Sequence, residues 1–178
     1  MTDRPEDIRR HALRLLEKAG ISITPEEAGR IEYCDYGLGS FDRIGTSILT
    51  YINTERVCAK EILLFPRQIC PEHLHPALKD YAGKEETFRC RWGEVNLYVP
   101  GEPAENPAGR VPEEYRSYFT VWHEIHLLPG QQYTLKEQTL HWFQAGDMGA
   151  VVSEFSTPSF DDADIFTIPQ ILRKGWYL

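Results

Sequence analysis

His73-Leu74-His75 lies between Pro71 and Pro76, shortly after an apolar stretch that ends at Phe65. In extended backbone, residues two apart point to the same side, so both imidazoles can reach one ion. Glu86 opens the next β-patterned segment with Phe88, Cys90 and Trp92 on its side, while Glu85 faces the other way. A carboxylate there can complete a facial set. His141, within Thr139-Leu140-His141-Trp142-Phe143, shares a face with Thr139 and Phe143 and adds a fourth donor. Imidazole and carboxylate donors without thiolate suit Mn, Fe, Co or Zn and leave positions open for substrate oxygens. Taken singly, the His-x-His pair reads more often as surface histidines, Glu86 as a solvated strand end and His141 as a hydrogen-bonded barrel residue. Their order and setting favour the metal.

Two further residues carry chemistry. Glu154 lies in Ala150-Val151-Val152-Ser153-Glu154-Phe155 on the face of Ala150 and Val152, so its carboxylate is expected inside, placed to move a proton. The alternatives are an exposed face or a pairing with a buried cation. Lys60 alternates with Ile62 and Leu64 and can reach a substrate hydroxyl, pair with Glu154 or snorkel at a strand end. Glu61 takes the opposite face. His123 and His126 are three apart and face opposite sides, so neither is assigned, and His11 reads as a surface residue of an amino-terminal helix.

Periodicity defines the framework that holds these groups. Ile8, Ala12, Leu15, Leu16 and Ala19 form one face of a helix that Gly20 stops. Thr24-Pro25-Glu26-Glu27 opens a second helix with a capping box, expected to end near Glu32. From about Gly45 the period becomes two, through Thr46 to Ile52, Ala59 to Phe65, Glu86 to Trp92 and Glu94 to Val99. Trp92-Gly93-Glu94 reads as a tight reversal and Leu128-Pro129-Gly130-Gln131 as a turn. Pro100, Pro103, Pro107 and Pro112 mark a surface excursion. Short strands without intervening helices predict a mainly β, antiparallel sandwich or small barrel.

With 178 residues, 42% of them hydrophobic, the chain can bury a core as a single domain. A formal charge of -8 argues against nucleic acid or an anionic membrane as the main partner. No apolar run approaches the roughly 20 residues of a membrane helix, and charges interrupt the amino-terminal apolar stretch, so a cytoplasmic location is expected. Cys34, Cys58, Cys70 and Cys90 form no C-x-x-C pair and read as reduced, buried thiols.

The run Cys70-Pro71-Glu72-His73-Leu74-His75-Pro76, followed by Gly83-Lys84-Glu85-Glu86-Thr87-Phe88-Arg89-Cys90-Arg91-Trp92-Gly93, resembles the metal motif of the cupins, specifically the small D-lyxose isomerases. Offsets of 2, 13 and 68 from His73 to His75, Glu86 and His141 match that family's ligand spacing. The resemblance continues through Gly149 to Ser156. Common cupins place the glutamate closer to the second histidine, which favours this subfamily.

The resemblance implies a cupin-type double-stranded antiparallel β-barrel, or jelly roll. Residues 1–40 would form a helical appendage, about 45–157 the barrel and 158–178 a carboxy-terminal extension. It also implies a divalent metal, usually manganese, on His73, His75, Glu86 and His141. The activity would interconvert D-lyxose and D-xylulose through an enediol, for which strand parity offers Glu154 as the base and Lys60 as a second catalytic group. An iron-dependent dioxygenase and a non-catalytic sugar-binding cupin are the alternatives. The overall acidity favours a free sugar over a phosphosugar, since only Lys84, Arg89 and Arg91 lie close to the motif in sequence. A barrel with an exposed edge is expected to pair into a homodimer.

Overall fold

The computed structural model describes residues 4–173 and 175–177. Helix α1 (Pro5–Lys18) buries Ile8, Ala12, Leu15 and Leu16 against Leu49, Leu63, Phe65 and Val151 on the outer face of the sheet. Gly20, at φ 68°, takes the left-handed turn that lets Ile21 N–H donate to the Leu16 carbonyl. His11, expected on the surface, is instead half-buried with its ring 4.0 Å from that of Phe65, because the helix lies flat on the sheet. Helix α2 (Pro25–Ala28) carries the expected capping box between Thr24 and Glu27.

That helix stops short of the expected end near Glu32, and residues 1–40 are not wholly helical. Glu32–Cys34 form strand β1, which pairs with β2 (Thr46–Asn53) through Glu32↔Ile48. The open edge of β2 offers backbone partners that outweigh local propensity. The remaining strands are β3 (Cys58–Leu64), β4 (Ile69–Leu74), β5 (Glu86–Val99), β6 (His123–Leu127), β7 (Gln132–Leu135), β8 (His141–Ser156), β9 (Ile165–Phe166) and β10 (Trp176–Tyr177).

They form one curled ten-stranded sheet in which every strand pair is antiparallel. Strand β8 is its spine: β5 runs along one edge, while β3 and then β4 share the other. The outer edge of β5 is covered in turn by β7 and β6. The sequence between residues 158 and 178, expected as an extension, is woven in: β9 pairs with β4 and β10 with β1.

Trp92-Gly93-Glu94 is not a reversal. Both flanking halves pair with β8, so β5 is one bent strand, with register shifts between Cys90 and Trp92 and between Gly93 and Val95. Gly93 (φ 71°) backs onto Gly149 (φ 90°), and a side chain at Gly93 would strike the Gly149 carbonyl. Bulges at such a close approach bend a sheet enough to curl it. The inner face packs Ile62, Leu64, Phe88, Leu97, Phe143 and Val152. Leu128–Gln131 is a turn as expected, closed by Gln131 N–H donating to the Leu128 carbonyl. The Pro100–Pro112 excursion is pinned where Gly109 N–H donates to the Tyr98 hydroxyl and Ala108 N–H to Glu124. All four cysteines are buried. Among the described residues, no helix is long and apolar enough to cross a membrane.

Candidate metal centre

Strand pairing builds the centre. His73 and His141 are cross-strand partners on β4 and β8, and His75 follows just past the end of β4. One ring nitrogen from each of the three lies within 4.8 Å of the others, and all three residues are buried. His73 Nδ1 is 2.8 Å from the Pro71 carbonyl and His141 Nδ1 2.9 Å from the Thr139 carbonyl. A carbonyl only accepts, so Nδ1–H donates and each Nε2 keeps its lone pair. His75 Nδ1 makes the corresponding bond to Oδ1 of Asp164 at 2.5 Å.

Glu86 faces this cluster and is 2% exposed, whereas Glu85 is exposed on the opposite side, as strand parity requires. Its Oε1 lies 3.2 Å from His75 Nε2 and 3.3 Å from His141 Nε2. These three atoms are buried without a hydrogen-bond partner. Leaving such atoms unsatisfied costs roughly 1–3 kcal/mol each, and a carboxylate oxygen facing the lone pair of the neutral His141 ring is repulsive. A divalent cation among them removes both penalties, so the donor set fits a metal.

The titration of His73, His141 and Glu86 agrees, and that of His75 runs the other way. Burial and the neighbouring imidazoles hold His73 well below the usual histidine range. Burial also lowers His141, to about 4, against the pull of Glu86. At His75 the opposing influences of burial and of the Glu86 and Asp164 carboxylates end with the ring pushed up to about 9. Glu86, despite burial, is held well below the carboxylate range by Lys84, His75 and His141. The glutamate is therefore ionised and the His73 and His141 rings are neutral at neutral pH, as ligation needs, whereas the His75 ring must give up a proton when a metal binds.

Lys84 lies beside the cluster, 3% exposed, with Nζ 2.9 Å from Glu86 Oε2 and 2.5 Å from Glu154 Oε1. Burial works to discharge it, but Glu154 and Glu86 keep its pKa well above the lysine range. Glu154 is 3% exposed on the inward face of β8, where parity put it. Lys60 Nζ lies 3.9 Å from the same Glu154 oxygen, 3.2 Å from Asp161 and 3.0 Å from the Ser159 hydroxyl. Arg173 bridges Glu32 at 2.6 Å and Asp161 at 3.4 Å. Lys60, Lys84, Glu86, Glu154, Asp161 and Arg173 line one cleft, of which Phe88, Phe143 and Phe166 form apolar walls. That mixture of charged and apolar walls suits a small polar ligand.

No family model matches the chain. It is 61% identical over 168 residues to the D-lyxose ketol-isomerase of Thermofilum sp. (strain ex4484_79), covering 94% of this chain and 93% of that one. The D-lyxose/D-mannose isomerase of Thermosediminibacter oceani is 55% identical over 94% of this chain and 93% of its own. The chain belongs to the D-lyxose ketol-isomerase family. A third member, the D-lyxose ketol-isomerase of Cohnella laeviribosi, is 53% identical over 94% of this chain and 92% of its own. Among solved structures, L-ribose isomerase from Acinetobacter sp. DL28 in complex with L-ribose superposes with a TM-score of 0.76 at 17% identity, over 93% of this chain and 92% of that one. The ligand-free enzyme from Cellulomonas parahominis gives 0.74 at 17% identity, over 93% and 91%. These two share the fold.

In this family member the structure gathers His73, His75, Glu86, Glu154 and Lys60 around one cavity, with His141 buried beside them in the histidine cluster. His126 stays outside, half-exposed and 3.4 Å from Glu94, and His123 is exposed on the same strand. Sequence reasoning missed the structural importance of Lys84, although it shares the strand parity of Glu86 two residues on. Asp161, Asp164 and Arg173 were missed too. They sit in loops and a three-residue 3-10 helix after β8, where no strand periodicity says which way a side chain points.

Proposed function

We propose that the protein interconverts D-lyxose and D-xylulose through an enediol. In this reading manganese is held by His73, His75, Glu86 and His141, and a free sugar lies against Glu154, Lys84 and Lys60. The observation that carries it is the convergence of the unpaired Nε2 atoms of His75 and His141 on Oε1 of Glu86, beside a cavity that Glu86 and Glu154 line. The names of the relatives supply the sugar.

A divalent metal bound there supplies Lewis-acid polarisation of the sugar carbonyl. Glu154 removes the proton from C2 of the aldose and returns it to C1, while the O2 hydroxyl proton passes to O1. Nothing is oxidised or reduced overall. Lys84 holds the Glu154 carboxylate at the cavity wall, and Lys60 presents its ammonium to the sugar hydroxyls. A sugar-binding module needs no buried proton acceptor, so Glu154 favours an enzyme. The cations lining the cavity are each paired: Lys60 with Asp161, Lys84 with Glu86 and Glu154, and Arg173 with Glu32. None of these is left to take a phosphate, which supports a free sugar. Arg89 and Arg91, near the motif in sequence, bond to Gln132 and Ser153 and do not line the cavity.

A homodimer belongs to the same reading. Ile52, Ala59 and Phe155 stand in register across β2, β3 and β8, and Ile52 and Phe155 are 45% and 50% exposed. Such a row is suited to burial against a second copy.

The direct test is to supply D-lyxose, D-mannose and D-xylulose in turn to protein stripped by chelator and then reloaded with Mn2+. Interconversion of D-lyxose and D-xylulose that vanishes on chelation and returns with Mn2+ is expected. Loaded protein that converts none of the sugars overturns the proposal.

A further inference from the structure

Of the three imidazoles, only His75 takes its orientation from a distant part of the chain. His73 and His141 are held in a strand ladder, and each bonds a carbonyl two residues earlier in its own segment. His75 stands beyond the last residue of β4. Its Nδ1 meets Asp164, 89 residues later in sequence. The Asp164 side chain is 8% exposed.

The segment bearing Asp164 is fastened beside the ligand strand. β9 pairs with β4 through His73↔Phe166 and Leu74↔Ile165. Thr167 donates both its N–H, at 3.1 Å, and its hydroxyl, at 3.2 Å, to the Glu72 carbonyl. The Phe166 ring stacks on His73 at 5.4 Å. Glu72 is itself buried, its carboxylate accepting from Thr120 and Val121.

We infer that this strap, residues 157–167, is part of the metal centre, and that Asp164 is a positioning residue that sets its affinity for a divalent cation. This rests on the metal reading proposed above. A carboxylate on Nδ1–H fixes the tautomer that leaves the Nε2 lone pair facing the cavity, restrains ring rotation and raises the basicity of Nε2. A carbonyl, as at His73 and His141, supplies direction without charge. Asp164 and Glu86 together place two negative charges beside a dication in a buried setting, where charge counts for more than in water. Asp161, on the same strap, bonds Lys60 across the sugar cavity, so one segment serves both the cation and the sugar.

The test titrates metal-free protein with Mn2+, reading the free ion by its electron paramagnetic resonance signal. Asp164→Ala is expected to weaken Mn2+ binding by about 10–100-fold. Asp164→Asn keeps an acceptor of the same size but no charge, and should fall between that variant and the parent. At saturating Mn2+ the KM for D-lyxose should return close to the parent value, which a general loss of structure would not allow. If Asp164→Ala does not fold, Asp164→Asn decides alone, and unchanged affinity in that variant overturns the inference. A raised KM with unchanged Mn2+ affinity also overturns it, by moving Asp164 into the sugar site. Parent protein that binds Mn2+ without isomerising any sugar refutes the proposed function and leaves the Asp164 comparison standing. Parent protein that binds no Mn2+ refutes both.

Discussion

Glu154 and Glu86 share one ammonium group. Lys84 lies 2.5 Å from the first and 2.9 Å from the second, and all three are nearly sealed from water. Two buried carboxylates so close would repel strongly if that cation were absent, so Lys84 belongs to the architecture of the site as well as to its chemistry. The arrangement lets Glu154 be tested cleanly. Glu154→Gln keeps size and a hydrogen-bonding oxygen for Lys84 while removing basicity. Turnover should fall by roughly two to four powers of ten with Mn2+ content unchanged. Exchange of the sugar's C2 hydrogen with deuterated solvent, followed by NMR, should disappear in step. Near-normal isomerisation by that variant would assign proton transfer to another group.

Strands β5 and β8 decide whether the residues meet at all. Each is long and bent, and the bend in β5 depends on the close passage of Gly93 against Gly149. At φ 71° an L-side chain costs about 1–2 kcal/mol, before any collision with the Gly149 backbone. Gly93→Ala is therefore expected to destabilise the protein by about 2 kcal/mol or more. A lower urea midpoint with unchanged slope would show it. A midpoint equal to that of the parent would mean that the bend tolerates a side chain. At this scale Trp92-Gly93-Glu94 departs from the expected reversal for a physical reason. A glycine with positive φ between two alternating segments fits a hairpin turn and a bulge equally well, and only the pairing partner distinguishes them.

Across the whole molecule, folding brings together unpaired atoms that a cation satisfies. His75 Nε2, His141 Nε2 and Glu86 Oε1 meet only when β4, β5 and β8 are joined, so an ion binds the folded chain far better than the unfolded one. Mn2+ at about a thousand times its dissociation constant would stabilise the fold by about 4 kcal/mol. For a chain of this size that corresponds to a rise in Tm on the order of 10 °C. Differential scanning calorimetry with and without chelator measures it, and identical Tm values would show that the cluster holds no ion.

Local chain geometry, legible in the sequence alone, settles a good part of this site. A period of 3.6 marks the buried face of α1, and a period of two turns Glu86 inward and Glu85 outward and places Glu154 inside. Residue type then limits what such a set of donors can bind. Which segments meet, by contrast, emerges only on folding. The register His73↔His141, the placing of Lys84 between two glutamates, and the return of Asp161, Asp164 and Arg173 to the cavity each join residues far apart in the chain or in different elements. Such pairings are selected by burial and by the satisfaction of backbone and charged groups across the whole sheet. Local periodicity carries no record of them.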